Sequence, residues 1–164
     1  MEADPLAWSE LAAAVVVASV AFAGFIFVSI SINLQEVISL AGIADLALAG
    51  IMALTGIAIS GVLLLVPGQP TGILATELVL LGLFMLAWTL RLYSRSYRVT
   101  AADYKRGRLV GALLNGTPGV SIMVCGLSLA TAVGGGFYWL VPGWIVAIVG
   151  GVLNAWVLLV EVKR

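Results

Sequence analysis

Histidine is absent from this chain of 164 residues, cysteine occurs once, and only 10% of residues are charged. Each scarcity excludes something. Without histidine there is no imidazole general base, no Ser-His-Asp or Cys-His arrangement and no His-ligated metal. Cys125 has no partner for an intrachain disulfide or a C-x-x-C metal or redox motif. Soluble domains carry about 25% charged residues, so this composition does not supply a water-facing surface. What is present points to lipid instead: 62% of residues are hydrophobic and the mean hydropathy is +1.17.

A helix needs about 20 mostly apolar residues to cross roughly 30 Å of hydrocarbon. Five stretches have that length, at 11–32, 46–66, 72–92, 109–132 and 137–160. The expectation is an all-α polytopic transmembrane helix bundle forming a single domain over 1–164. Of the eight basic residues, Arg91, Arg95, Arg98, Lys105, Arg106 and Arg108 lie at or near a loop of about 93–108, and Lys163 and Arg164 end the sequence. Five spans put both groups on one side. The positive-inside rule makes that side cytoplasmic, with the C-terminus, and leaves the N-terminus with Glu2, Asp4 and Glu10 outside. The acidic MEADPLAWSE segment lacks the positive region of a signal peptide, so the first stretch is read as a retained span.

Pro67-Gly68-Gln69-Pro70 is a tight turn that predicts an antiparallel hairpin of the second and third spans. Asp45 is suited to cap the second span, and Gly134-Gly135-Gly136 is a turn before the interfacial cluster Phe137, Tyr138, Trp139 and Trp144.

Small residues at four-residue spacing mark helix contact faces in bilayers. Gly143, Ala147, Gly151 and Ala155 follow this pattern in the fifth span, and Ala49, Ala53, Gly56 and Ser60 approximate it in the second. These faces suit packing within the chain or between subunits. In the fourth span Thr117, Ser121, Cys125 and Ser128 stack on one face beside Asn115 and Pro118. That stripe reads either as hydroxyls bonding back to their own helix around a kink, or as a polar conduit.

Ser29, Asn33 and Glu36 give a second polar face at the end of the first span, suited to headgroup contact or to an ion-attracting mouth. Glu77 is the one acidic residue clearly inside a span, and intramembrane carboxylates are functional candidates. Asn154 is the mid-membrane amide of the fifth span, suited to helix-to-helix hydrogen bonding. The loop cations, interleaved with Tyr93, Tyr97 and Tyr104, read as contact with anionic lipid headgroups rather than nucleic acid. Intramembrane aspartyl proteases and alcohol phosphotransferases need paired acidic residues that are missing here, so no catalytic residue, metal or cofactor is assigned.

The segments GFIFVSISINL at 24–34 and LLLVPGQ at 63–69 resemble a family of small bacterial integral membrane proteins, common in actinobacteria, labelled modulators of the FtsH protease. The resemblance covers about the first hundred residues. It implies a multi-pass protein of the bacterial inner membrane in which the Ser-Asn end of the first span and the Pro-Gly-Gln turn are family features. Two functions follow as expectations. One is a homo-oligomeric channel or conduit for ions or small solutes. The other is a non-catalytic accessory subunit of a larger membrane complex, such as a membrane protease.

The charge distribution has a direct test. In a Cys125→Ala background, a membrane-impermeant maleimide should label Ser96→Cys from the cytoplasmic side of inverted vesicles and leave it unlabelled in intact cells.

Overall fold

The computed structural model describes residues 5–39, 43–99 and 105–161, with the side chains of 36, 95–99, 105–110 and 161 outside the description. The protein is an all-α bundle in which five helices are long and apolar enough to cross a membrane. A 3-10 turn, Pro5–Trp8, leads into α1 (Ser9–Ile32), and the short α2 (Leu34–Ser39) follows. Then come α3 (Ile43–Leu64), α4 (Thr71–Val99), α5 (Lys105–Thr131) and α6 (Leu140–Trp156). A 3-10 turn, Gly136–Trp139, introduces α6, and a π-helical stretch, Val157–Glu161, prolongs it. The five apolar runs thus coincide with the five long helices to within a few residues, with the largest difference at the end of α4, which continues to Val99.

Two expectations shift, and a third gains a qualification. Asp45 lies inside the first turn of α3 rather than ahead of it, where a carboxylate still suits the positive end of the helix dipole. Most of the basic segment 93–108 is helical, because α4 continues to Val99 and α5 begins at Lys105. Nothing between Leu90 and Val99 breaks a helix, so α4 runs on past its apolar span, which ends at Ser94. The Pro67-Gly68 turn does join α3 to α4, with Gly68 at φ 69°, yet the most extensive partner of α4 is α5, and that of α3 is α1.

The reason is steric. Lipid tails are as apolar as leucine, so helices associate by close packing, and the closest packing occurs where no side chain intervenes. A Cβ placed on Gly82 would lie 2.6 Å from the Met123 backbone nitrogen and 2.7 Å from the Gly119 carbonyl oxygen. One on Gly126 would lie 2.7 Å from the Ala75 carbonyl oxygen. Two small pairs, Ala75 with Gly82 and Gly119 with Gly126, therefore let the α4 and α5 backbones touch.

α3 is the hub, contacting all four other long helices, and half of its span is buried against 22% for α1. Gly61 accepts Val16 and the Ala12 carbonyl of α1, Gly56 accepts Met85 of α4, and Gly50 accepts Asn154 of α6. Around this hub Leu54, Ile57, Leu78, Ile122, Leu140 and Trp144 form the dry interior. The outside is a coat of exposed leucine, valine, isoleucine and phenylalanine, the surface expected where the solvent is hydrocarbon.

The glycine contacts predict a contrast. Gly82→Leu should destabilise the detergent-solubilised protein by about 1–3 kcal/mol or more through overpacking. Gly24→Leu, whose Cβ would meet nothing within 4 Å, should leave thermal unfolding within about 0.5 kcal/mol of the parent.

Candidate functional site

The polar residues of α5 turn inward. Asn115, Ser121, Cys125 and Ser128 are buried, as is Pro118, through which the helix passes without interruption. Asn115 donates from Nδ2 to the Tyr93 hydroxyl at 3.0 Å and to the Gly111 carbonyl at 2.9 Å, tying α5 to α4. Thr117, half-buried, donates to the Leu113 carbonyl at 2.7 Å, the bond back to its own helix. Ser121 sits against α6, where a Cβ on Gly143 would fall 2.5 Å from its own Cβ. A bulky residue at 121 would part α5 from α6, so folding and any conduction cannot be read separately at this position.

Ser128 has a different task. Ala132 adopts a left-handed φ of 55° at the end of α5, a conformation costing a non-glycine residue roughly 1 kcal/mol. Backbone bonds from Ala132 to Leu129 and from Val133 to the Ser128 carbonyl close the helix end. The Ser128 hydroxyl then donates to the Val133 carbonyl at 2.5 Å and accepts the Gly136 N–H at 2.9 Å. It secures the turn through Gly134, Gly135 and Gly136, all at positive φ, and so sets where α6 begins.

At the other end of the bundle Ser29 and Asn33 are completely buried. Ser29 donates to the Phe25 carbonyl at 2.7 Å. Asn33 separates α1 from α2, and its Nδ2 donates across the bundle to the Leu158 carbonyl at 2.7 Å, within the π-helical stretch that prolongs α6. This face is turned to α6 and not to headgroups. Its third member, Glu36, has a side chain outside the described residues. Asn154, one turn before Leu158, fills the notch at Gly50. The Nδ2 of Asn154 and the Oδ1 of Asn33 are buried without partners.

Glu77 is half-buried, and its Oε2 accepts Nε2 of Gln69, from the turn before its own helix, at 2.5 Å. The small-residue candidates all occupy helix contacts. Gly143 faces Ser121, Gly151 faces Leu54 and Gly56 faces Met85, while Ala147, Ala49 and Ala53 are buried. Among the cations, Arg91 is exposed near the end of the apolar part of α4. The side chains of Arg95, Arg98, Lys105, Arg106 and Arg108 lie outside the described residues.

Two features escape the sequence reading. One is the pairing of Trp144 with Ser60: the buried indole Nε1 donates to the Ser60 hydroxyl at 2.9 Å, while that hydroxyl donates to the Ile57 carbonyl at 2.7 Å. Trp144, expected from its position to be an interfacial aromatic, points into the core and clamps α6 to α3. The other is Trp8, whose ring stands 4.9 Å from Tyr138 and 6.1 Å from Phe137. These contacts bring the starts of α1 and α6 together, so the two helices run parallel. A Trp near the head of each of two spans was the available signal.

Taken together, the hydrogen bonds of Asn33, Asn115 and Trp144 run from helix to helix and those of Ser29 and Thr117 run back to their own backbone, which makes the arrangement largely adhesive, with Asn33 Oδ1 and Asn154 Nδ2 left over. No family model, no curated protein and no solved structure matches the chain.

The Trp144–Ser60 bond can be weighed by a double-mutant cycle. Trp144→Phe and Ser60→Ala should show a coupling of about 0.6 kcal/mol, the average for interhelical hydrogen bonds in bilayers, measured by unfolding in detergent.

Proposed function

We propose that this protein is a non-catalytic subunit of a larger assembly in the bacterial inner membrane, acting through helix contacts with a membrane-embedded partner. The observation that carries the reading is where the polar groups go. Asn115, Thr117, Ser128, Ser60 and Ser29 are all engaged within the chain, and the described exterior is mostly apolar, with scattered exceptions such as Thr55 and Thr76. A pathway for ions between copies needs a wetted exterior face, and the exterior offers leucine, valine and phenylalanine instead.

What the exterior does offer is α1, the least covered of the five spans. Its outward face carries Ala13, Val17, Ala21 and Gly24, all exposed, and Gly24 has open space where a Cβ would be. Such a face suits close approach by a second helix. The resemblance to modulators of a membrane protease agrees with that use. The basic end of the α4–α5 hairpin supports cytoplasmic orientation and contact with anionic headgroups.

A second reading, the homo-oligomeric conduit, has one observation in its favour. Asn33 Oδ1 and Asn154 Nδ2 are buried without partners on the inner faces of α1 and α6, and water or an ion entering the bundle would satisfy them.

Two measurements separate the readings. Purified protein in liposomes should carry no more Na⁺, K⁺, H⁺ or Cl⁻ than empty vesicles, and protein-dependent flux would overturn the subunit reading. Gly24→Leu should leave the unfolding temperature unchanged while reducing recovery of a defined partner, the membrane protease, in mild detergent by about tenfold, the loss expected for roughly 1.4 kcal/mol of contact.

A further inference from the structure

Between the first turn of α1 and the turn joining α3 to α4 lies a groove of about 330 Å³, within the range of small-molecule sites. Its walls are largely apolar, with Leu6, Leu64, Pro67 and Leu74 among them, and Gln69 at one side. Leu6 is 80% exposed, so the groove opens to the surroundings of the bundle. It stands at the end where Trp8 packs on Phe137 and Tyr138, an aromatic cluster of the kind found at lipid headgroup level.

The polar atoms here share one character. Gln69 turns its amide nitrogen to Glu77, and because a carboxylate oxygen accepts that bond, the amide orientation follows. The Gln69 Oε1 is then left buried without a partner. Glu77, bonded to Gln69, forms no ion pair among the described residues. Ser9, also at the groove, donates its proton to the Leu6 carbonyl at 2.8 Å and presents only lone pairs to a ligand. A buried acceptor with no donor is costly, as is a carboxylate without a counter-charge near hydrocarbon. The set calls for a positively charged N–H donor attached to an apolar body.

We propose that this groove binds a lipid bearing a protonated primary amine, in its simplest form phosphatidylethanolamine. The ammonium donates to Gln69 Oε1 and neutralises Glu77, and the chain-bearing part lies along Leu6 and Leu74. A quaternary ammonium carries the same charge and has no N–H to donate. Phosphatidylcholine therefore fails at Gln69, and phosphatidylglycerol, which lacks the cation, fails at Glu77. The inference does not depend on the subunit reading above.

The test uses the full-length protein in detergent with lipids of matched acyl chains, and counts retained lipid by native mass spectrometry. Phosphatidylethanolamine should be retained about tenfold over phosphatidylcholine, since a hydrogen bond to a charged group is worth about 1.5 kcal/mol or more. Mono- and dimethylated headgroups should fall in order between them. Gln69→Leu and the near-isosteric Glu77→Gln should each bring the ratio towards one while the unfolding temperature of the lipid-free protein holds. Equal retention of the two lipids by the unmodified protein overturns the proposal. So does a preference that survives both substitutions, which would place the amine elsewhere.

Discussion

Close backbone approach is the constraint on which the rest of this bundle depends. In water, burying leucine would draw the helices together. In hydrocarbon that drive is missing, and contact must come from dispersion, hydrogen bonds and shape. The chain answers with glycine where two helices meet. α4 lies on α5 at Gly82 and Gly126, and α3 takes three different neighbours at Gly50, Gly56 and Gly61. Hydrogen bonds such as Trp144 to Ser60 and Asn33 to Leu158 become possible only because those approaches have brought short polar side chains within reach.

This explains what could and could not be seen in the sequence. The five spans were legible because twenty consecutive apolar residues have few other uses. The contact faces on α6 and α3 were legible because their small residues recur every four positions. The α4–α5 contact, the most extensive of all, was not. Its small residues are seven apart, at Ala75 and Gly82 on one helix and at Gly119 and Gly126 on the other. A search at four-residue spacing passes over them, although seven residues are close to two full turns and keep one face.

The polar residues were harder still. A serine inside a span looks the same whether it lines water or bonds back to the carbonyl four residues earlier, as Ser19, Ser29 and Thr117 do. Their spacing on α5 put them on one face, but only the neighbouring helix shows what that face meets. Likewise Ser128 sits in the hydroxyl stripe by position and serves the turn beyond it by contact. Pattern reports direction on a helix and leaves the neighbour unknown, and in a membrane the neighbour decides the role.

The central place of α3 has a consequence for how the chain comes together during synthesis. α3 is the second long helix to leave the ribosome, with only α1 inserted to greet it. Its notch at Gly50 stays unfilled, and its Ser60 hydroxyl lacks its indole partner, until Asn154 and Trp144 arrive on the last span. The interior is therefore closed only when α6 arrives, and a nascent bundle of four helices still shows lipid the flank of Gly50, Leu54, Ser60 and Ser121. Assembly quality control has a natural cue in that flank: an unfinished molecule differs from a finished one along the face that α6 covers.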